Sequence, residues 1–240
     1  MICAAQAILS AGKAEERAMT CSNTLPSVAV QRSIMLAMPF SLPAGVVAYC
    51  EATYNPQADA TTAGLGVYLH DPIRKIKIFV SAISTDISSV LQAEAQGLLL
   101  AVRVAKLMGW TSVCFLSDNK TFVDAASSED LLSKTIHRSI RPTLADIHSH
   151  RRTNGDLVLK VPRAENKTAH ALAKLAFRDR SDARSSFRCK SNLPFPSLCS
   201  TRNKLCNFRD NFVRLLAVYC LGCSFSLLFG RHQAPRCLDE

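Results

Sequence analysis

Residues 73–108 read IRKIKIFVSAISTDISSVLQAEAQGLLLAVRVAKLM. Within this stretch the hydrophobic period changes from two to nearly four. Ile76, Ile78 and Val80 alternate with Lys75, Lys77 and Phe79, the two-residue repeat of a half-buried strand. From Leu91 onward, Ala95, Leu98, Val102, Ala105 and Met108 recur at helical spacing. Ser89 with Gln92 three residues later forms a capping box, and Gly109 stands where a helix ends in the left-handed conformation. A strand over 73–83 therefore runs into a helix over 89–108.

Working outward, residues 46–54 (VVAYCEATY) and 63–70 (AGLGVYLH) read as two more strands. Short connections, with Asp71-Pro72 as a turn, make the three an antiparallel meander. After the helix come a strand over 110–117, a helix over 119–127 and an amphipathic helix over 130–148 that Pro142 splits or bends. A strand over 156–161 and a helix over 165–177 close the pattern. The order βββαβα(α)βα specifies an α/β fold with a mixed sheet.

The chain has 240 residues and a net charge of +10, which invites a polyanion partner. The charge is unevenly spread. Residues 46–177 hold 15 basic and 12 acidic side chains, whereas residues 178–240 hold 11 and five. The segment 1–45 reads as an irregular extension with a short helix over 2–19. Residues 178–211 read as disordered, and the whole of 178–240 as a basic, Cys-rich tail. Its apolar run, 212–230, carries only Arg214 as a charge. It reads as a buried or aggregation-prone segment rather than a tail anchor, because Cys, Ser and Gly dilute it. One Trp and four Tyr argue against a platform of stacked aromatics. The N-terminus does not support secretion, so the ten cysteines read as reduced and intracellular, with nucleus and cytoplasm left open. Cys220-Leu-Gly-Cys223 has no partner pair at zinc-finger spacing and reads as part of the apolar run.

Three acids stand out. Glu94 shares the helix face of Leu91 and Leu98. It either reaches water at the edge of that stripe or is paired or metal-bound. Asp118 follows the fourth strand, where α/β folds place functional groups, or it caps the next helix. Glu51 interrupts the first strand, so that face is partly solvated or the carboxylate has a partner. Converging, the three would suit Mg²⁺ or Mn²⁺ and two-metal phosphodiester hydrolysis. Lys120, Arg138, Arg141, Arg151 and Arg152, around the second and third helices, are candidates for backbone-directed nucleic-acid binding or form a solvated charged face. His148 and His150 project to different sides of a helix and do not form a chelating pair.

Residues 47–177 resemble the RNase H-like domain of plant non-LTR retroelements, the reverse-transcriptase-like type. The matching pieces are Cys50-Glu51-Ala52-Thr53-Tyr54, Ala63-Gly64-Leu65-Gly66-Val67, Ala93-Glu94-Ala95, Ser117-Asp118-Asn119 and the stretch from Val161 to Ala173 (VPRAENKTAHALA). The resemblance implies a five-stranded mixed sheet flanked by helices, with irregular extensions at both ends. It implies cleavage of RNA in RNA–DNA hybrids by four carboxylates and two Mg²⁺. Glu94 and Asp118 match the second and third acids. Glu51 stands where the family carries Asp, and His170 where active members carry the fourth Asp. A loop His of some members is replaced near Lys160. The expectation is a nucleic-acid-binding domain with weak or absent hydrolysis. Its partner would be an RNA–DNA hybrid or RNA, with no small-molecule substrate and no membrane. The chain would be a monomer.

Overall fold

The computed structural model describes residues 45–59, 61–128, 136–181, 185–190, 199–206 and 208–223, and within 151–154 only the backbone. The expected N-terminal helix lies outside the described residues. In chain order the strands are β1 (Val47–Tyr54), β2 (Ala63–Asp71), β3 (Ile76–Ser84), β4 (Cys114–Ser117), β5 (Leu157–Lys160), β6 (Ser186–Lys190) and β7 (Val213–Leu221). The helices are α1 (Val90–Met108), α2 (Lys120–Ser127), α3 (Arg141–Asn154), α4 (Lys167–Arg178) and α5 (Ser200–Leu205).

The meander forms as expected: β1 pairs antiparallel with β2, and β2 with β3. Strands β4 and β5 run parallel to β1 on its other side. With the helices on the sheet, this is a mixed α/β arrangement of the kind the resemblance implies. Helix α1 begins at a Ser89 cap, whose hydroxyl accepts from the Gln92 N–H, and ends at Gly109 with φ of 71°. The helix expected over 130–148 begins only at Arg141, after a 3-10 turn over Arg138–Ile140, and Pro142 marks that start. It sits in that helix's first turn, where its missing N–H costs nothing.

The sheet has seven strands, not five, in the order β5-β4-β1-β2-β3-β7-β6. β6 comes from the segment expected to be disordered, and β7 from the apolar run expected to be buried or aggregation-prone. β7 pairs antiparallel with β3 from Lys77↔Leu221 to Ser84↔Val213, with a register shift at Ser81/Ala82, and β6 adds in parallel to β7. Polar ties fasten this extension to α1. Arg103 forms an ion pair with Asp210. Asp210 also accepts from the N–H groups of Phe212 and Val213 at 2.8 and 2.9 Å. Lys204 Nζ donates to the Met108 carbonyl at 2.8 Å. Among the described residues, no helix is long and apolar enough to cross a membrane.

One face of the sheet takes α4 at very short range. A Cβ on Gly66 would stand 2.0 Å from the Ala169 carbonyl oxygen, and one on Gly64 would stand 2.2 Å from that of Ala173. On the same strands, the rings of Tyr49, Tyr68, Phe79 and Tyr219 stack in a row across β1, β2, β3 and β7, at centroid distances of 4.9–5.8 Å. An aromatic count misses such a row, because the register of four strands creates it.

Candidate active site

The parallel register of β1 and β4 places the first two acids. Tyr49 lies opposite Leu116. Two residues further along each strand, Glu51 and Asp118 reach the same level. The third acid arrives on α1. Gly97 lets this helix approach β1 so closely that a Cβ there would be 3.2 Å from the Glu51 carbonyl oxygen. One turn earlier on the same helix, Glu94 lies beside the strand end. The result is a cluster in which one carboxylate oxygen from each of Glu51, Glu94 and Asp118 lies within 4.8 Å of the others.

The alternatives left open by the sequence resolve at each residue. Glu94 does not reach water: it is 5% exposed. Asp118 does not cap α2. Asn119 does, accepting from the Phe122 N–H at 3.1 Å. Glu51 is 4% exposed and has a partner, because Asn166 Nδ2 donates to its Oε2 at 2.7 Å. The same amide nitrogen donates to the Cys50 carbonyl at 3.0 Å. Asn166 stands at the N-cap of α4 yet makes no side-chain capping bond. It is fully buried and spends its amide on β1 instead.

Three carboxyl groups in a dry pocket cannot all ionise cheaply. Burial pushes the Glu51 carboxyl up to about 8, helped by hydrogen bonding and repulsion from Asp118. Arg163 and Asn166 pull the other way. Burial pushes Glu94 up to about 9, with the charges of Glu51 and Asp118 adding to the effect. The cationic side chain at the cluster is Arg163. Its Nε lies 3.7 Å from Asp118 Oδ2, and the side chain is largely exposed, so it compensates weakly.

His170 lies one turn along α4 from Asn166, and its Nδ1 is 3.7 Å from Glu51 Oε1, too far for a hydrogen bond. Burial lowers its pKa, with Lys174 and Arg163 adding to the shift and Asp118 opposing it. His170 Nδ1 and Asn166 Oδ1 are both buried with no hydrogen-bond partner among the described residues. Three converging carboxyl groups, beside two orphaned polar atoms, fit a site that holds a hard divalent cation.

The basic candidates divide. Lys120 and Arg138 are exposed. Arg141 is half-buried and donates to the Ile136 carbonyl at 3.2 Å, holding the entry to α3. The side chains of Arg151 and Arg152 lie outside the described residues. His148 is buried, with Nε2 3.0 Å from the Ala126 carbonyl oxygen. Sequence reasoning quoted Arg163 and Asn166 within the Val161–Ala173 stretch but gave neither a role. Their signal was present: an Arg in the turn before a helix start that follows a strand.

Residues 50–176 match the family model described as reverse transcriptase-like. The chain belongs to the reverse transcriptase-like family. This reverse transcriptase-like domain includes all three clustered acids and His170. A comparison with curated proteins found no match. Among solved structures, the chain is similar to RNase H1 from the halophilic archaeon Halobacterium salinarum NRC-1. That pair is 21% identical, with 56% of this chain and 98% of the other covered and a TM-score of 0.48. It is also similar to the N-terminal RNase H domain of a Mycobacterium tuberculosis protein (21% identity, 54% and 96% coverage, TM-score 0.45). A third is LC11-RNase H1, isolated from compost by a metagenomic approach and solved in complex with an RNA/DNA hybrid. It shows 16% identity, 57% and 99% coverage and a TM-score of 0.48.

Proposed function

We propose that this retroelement-type domain binds RNA–DNA hybrids, or RNA, and that Glu51, Glu94 and Asp118 hold Mg²⁺ or Mn²⁺ against the phosphate backbone. The observation that carries the reading is the convergence of the three carboxylates, with ligand oxygens within 4.8 Å of one another. When bound, divalent cations at such a site activate water and stabilise the leaving oxygen in phosphodiester hydrolysis.

The chain's own residues then have distinct tasks. Asn166 fixes the rotamer of Glu51 through a 2.7 Å hydrogen bond. Arg163 and Lys120, both exposed, offer charge to phosphates beside the acids. His170 limits the chemistry. It presents a nitrogen of no fixed charge where the resemblance calls for a fourth carboxylate, and Glu51 carries one methylene more than the Asp expected there. Hydrolysis is therefore weak or absent, with binding as the main activity. The setting is intracellular, and the chain acts as a monomer.

The test uses the full-length protein with a labelled RNA–DNA hybrid. Binding should weaken as salt rises, and cleavage in Mg²⁺ or Mn²⁺ should be slow or undetectable. Vigorous cleavage abolished by Asp118→Asn would overturn the weakened site. Absence of salt-dependent hybrid binding would overturn the nucleic-acid reading itself.

A further inference from the structure

The extension after α4 brings four cysteines to one point. Cys189 lies on β6 and Cys220 on β7, and the two are register partners in the parallel ladder. Cys199 is the N-cap of α5. Cys223 follows β7 after a turn at Gly222, which has φ of 70° and where a Cβ would stand 2.1 Å from the Lys75 carbonyl oxygen. Only glycine fits that turn, and the turn folds Cys223 back beside Cys220.

The four sulfur atoms lie within 4.8 Å of one another. Cys189 Sγ is 2.9 Å from Cys223 Sγ, and Cys199 Sγ is 3.4 Å from both Cys220 and Cys223. Cys220 and Cys223 are 3.7 Å apart. Four thiolates placed about 2.3 Å from a tetrahedral zinc ion sit about 3.8 Å from each other. Three of the separations, at 3.4–3.7 Å, lie near that edge length, and the Cys189–Cys223 approach at 2.9 Å is shorter. Pairing into two disulfides would instead call for two separate close pairs, but Cys199 is equally near two partners. Cys199, Cys220 and Cys223 are buried and Cys189 is half-buried, so three of the four sulfurs are shielded from water. The Cys199 sulfur also accepts from the Arg202 N–H at 3.3 Å, the backbone support usual for a ligating thiolate.

We propose that Cys189, Cys199, Cys220 and Cys223 form a structural tetrathiolate site for zinc. The metal joins β6 and α5, short elements of five and six residues, to the longer β7. All four ligand positions are protein sulfur, which makes the site structural rather than catalytic. Soft sulfur ligands select zinc, whereas the carboxylate cluster on β1, α1 and β4 selects a hard cation. One chain thus carries two metal sites of opposite chemistry. The isolated C-x-x-C of the sequence gains its partners from Cys189 and Cys199, which come from separate elements.

The test uses the full-length protein purified under reducing conditions. Elemental analysis should find one zinc per chain. Exchange with Co²⁺ should give the ligand-field spectrum of a tetrahedral thiolate site. Cys199→Ser or Cys223→Ser should lose the metal, while Cys206→Ser and Asp118→Asn keep it. Should the ligand variants fail to fold, the metal content and Co²⁺ spectrum of the unaltered chain decide. A wild-type chain without zinc that gives no thiolate spectrum with Co²⁺ would overturn the proposal. So would zinc retained in both ligand variants.

Discussion

The Asn166 side-chain amide donates to Glu51 Oε2 at 2.7 Å and to the Cys50 carbonyl at 3.0 Å, tying the start of α4 to the middle of β1. Asn166→Ala removes both bonds and leaves a buried carboxyl without its donor. The expected loss is about 1–3 kcal/mol. It would appear as a lower urea midpoint with an unchanged denaturant slope. Asn166→Asp should cost more than Asn166→Ala above neutral pH, because it adds a carboxylate beside three others.

The raised carboxyls give stability a definite pH dependence. Glu51 at about 8 and Glu94 at about 9 bind protons in the folded chain that the unfolded chain releases near 4.5. Below that value their contribution is fully present. It falls as pH rises through 8 and 9. Without added divalent cation, thermal unfolding should therefore occur at a lower temperature at pH 9 than at pH 6. Mg²⁺ or Mn²⁺ should restore more at pH 9, because metal replaces protons. Glu94→Gln should flatten the pH dependence and reduce the response to cation.

Gly66→Ala places a Cβ 2.0 Å from a helix carbonyl, and Gly64→Ala one at 2.2 Å. Backbone cannot yield as a side chain can, so α4 must lift from β2. Each substitution should cost more than about 3 kcal/mol, beyond ordinary overpacking. Loss of soluble protein or of cooperative unfolding would register it. Lifting α4 also displaces Asn166 and His170, so cation response should fall with stability.

His170→Asp supplies a fourth carboxylate beside Glu51, whose Oε1 the present ring approaches to 3.7 Å. Cation binding should tighten. Hybrid cleavage should rise above the wild-type level, further when combined with Glu51→Asp. Titration calorimetry with Mn²⁺ and a gel-based cleavage assay give the two readouts. Unchanged cleavage in the double variant would count against assigning His170 to the fourth position.

Much of this was legible in the sequence because the first half of β3 alternates buried and half-buried positions and α1 carries a continuous apolar stripe. The alternation in β3 and the stripe of α1 declare themselves, as does the Ser89 cap. Glu51, Glu94 and Asp118 could be named from their odd positions, but not their burial, which depends on the approach of α1 at Gly97. Asn166 has no visible role in the sequence because its partners on β1 lie more than a hundred residues away. The extension was misread for a different reason. In β7, Val213, Leu216, Val218 and Cys220 are buried, but Leu215, Ala217, Tyr219 and Leu221 on the other side are also apolar or aromatic. A strand apolar on both sides has no period to detect. β6 has five residues, and its Ser186, Arg188 and Lys190 are exposed, so it carries too few apolar positions for a pattern.

The pairing of β7 with β3 also governs how copies of the chain meet. Without it, β3 would end the sheet as a nine-residue strand rich in Ile, Val and Phe. Its unpaired N–H and C=O groups would be a template for another molecule's backbone. β7 fills that template, and the new margin is β6, which is short and shows Arg188 and Lys190 to solvent. A chain ending at residue 181 should therefore elute from a sizing column as mixed oligomers, while the full chain gives one species. By that standard the extension is the element that keeps the sheet finite.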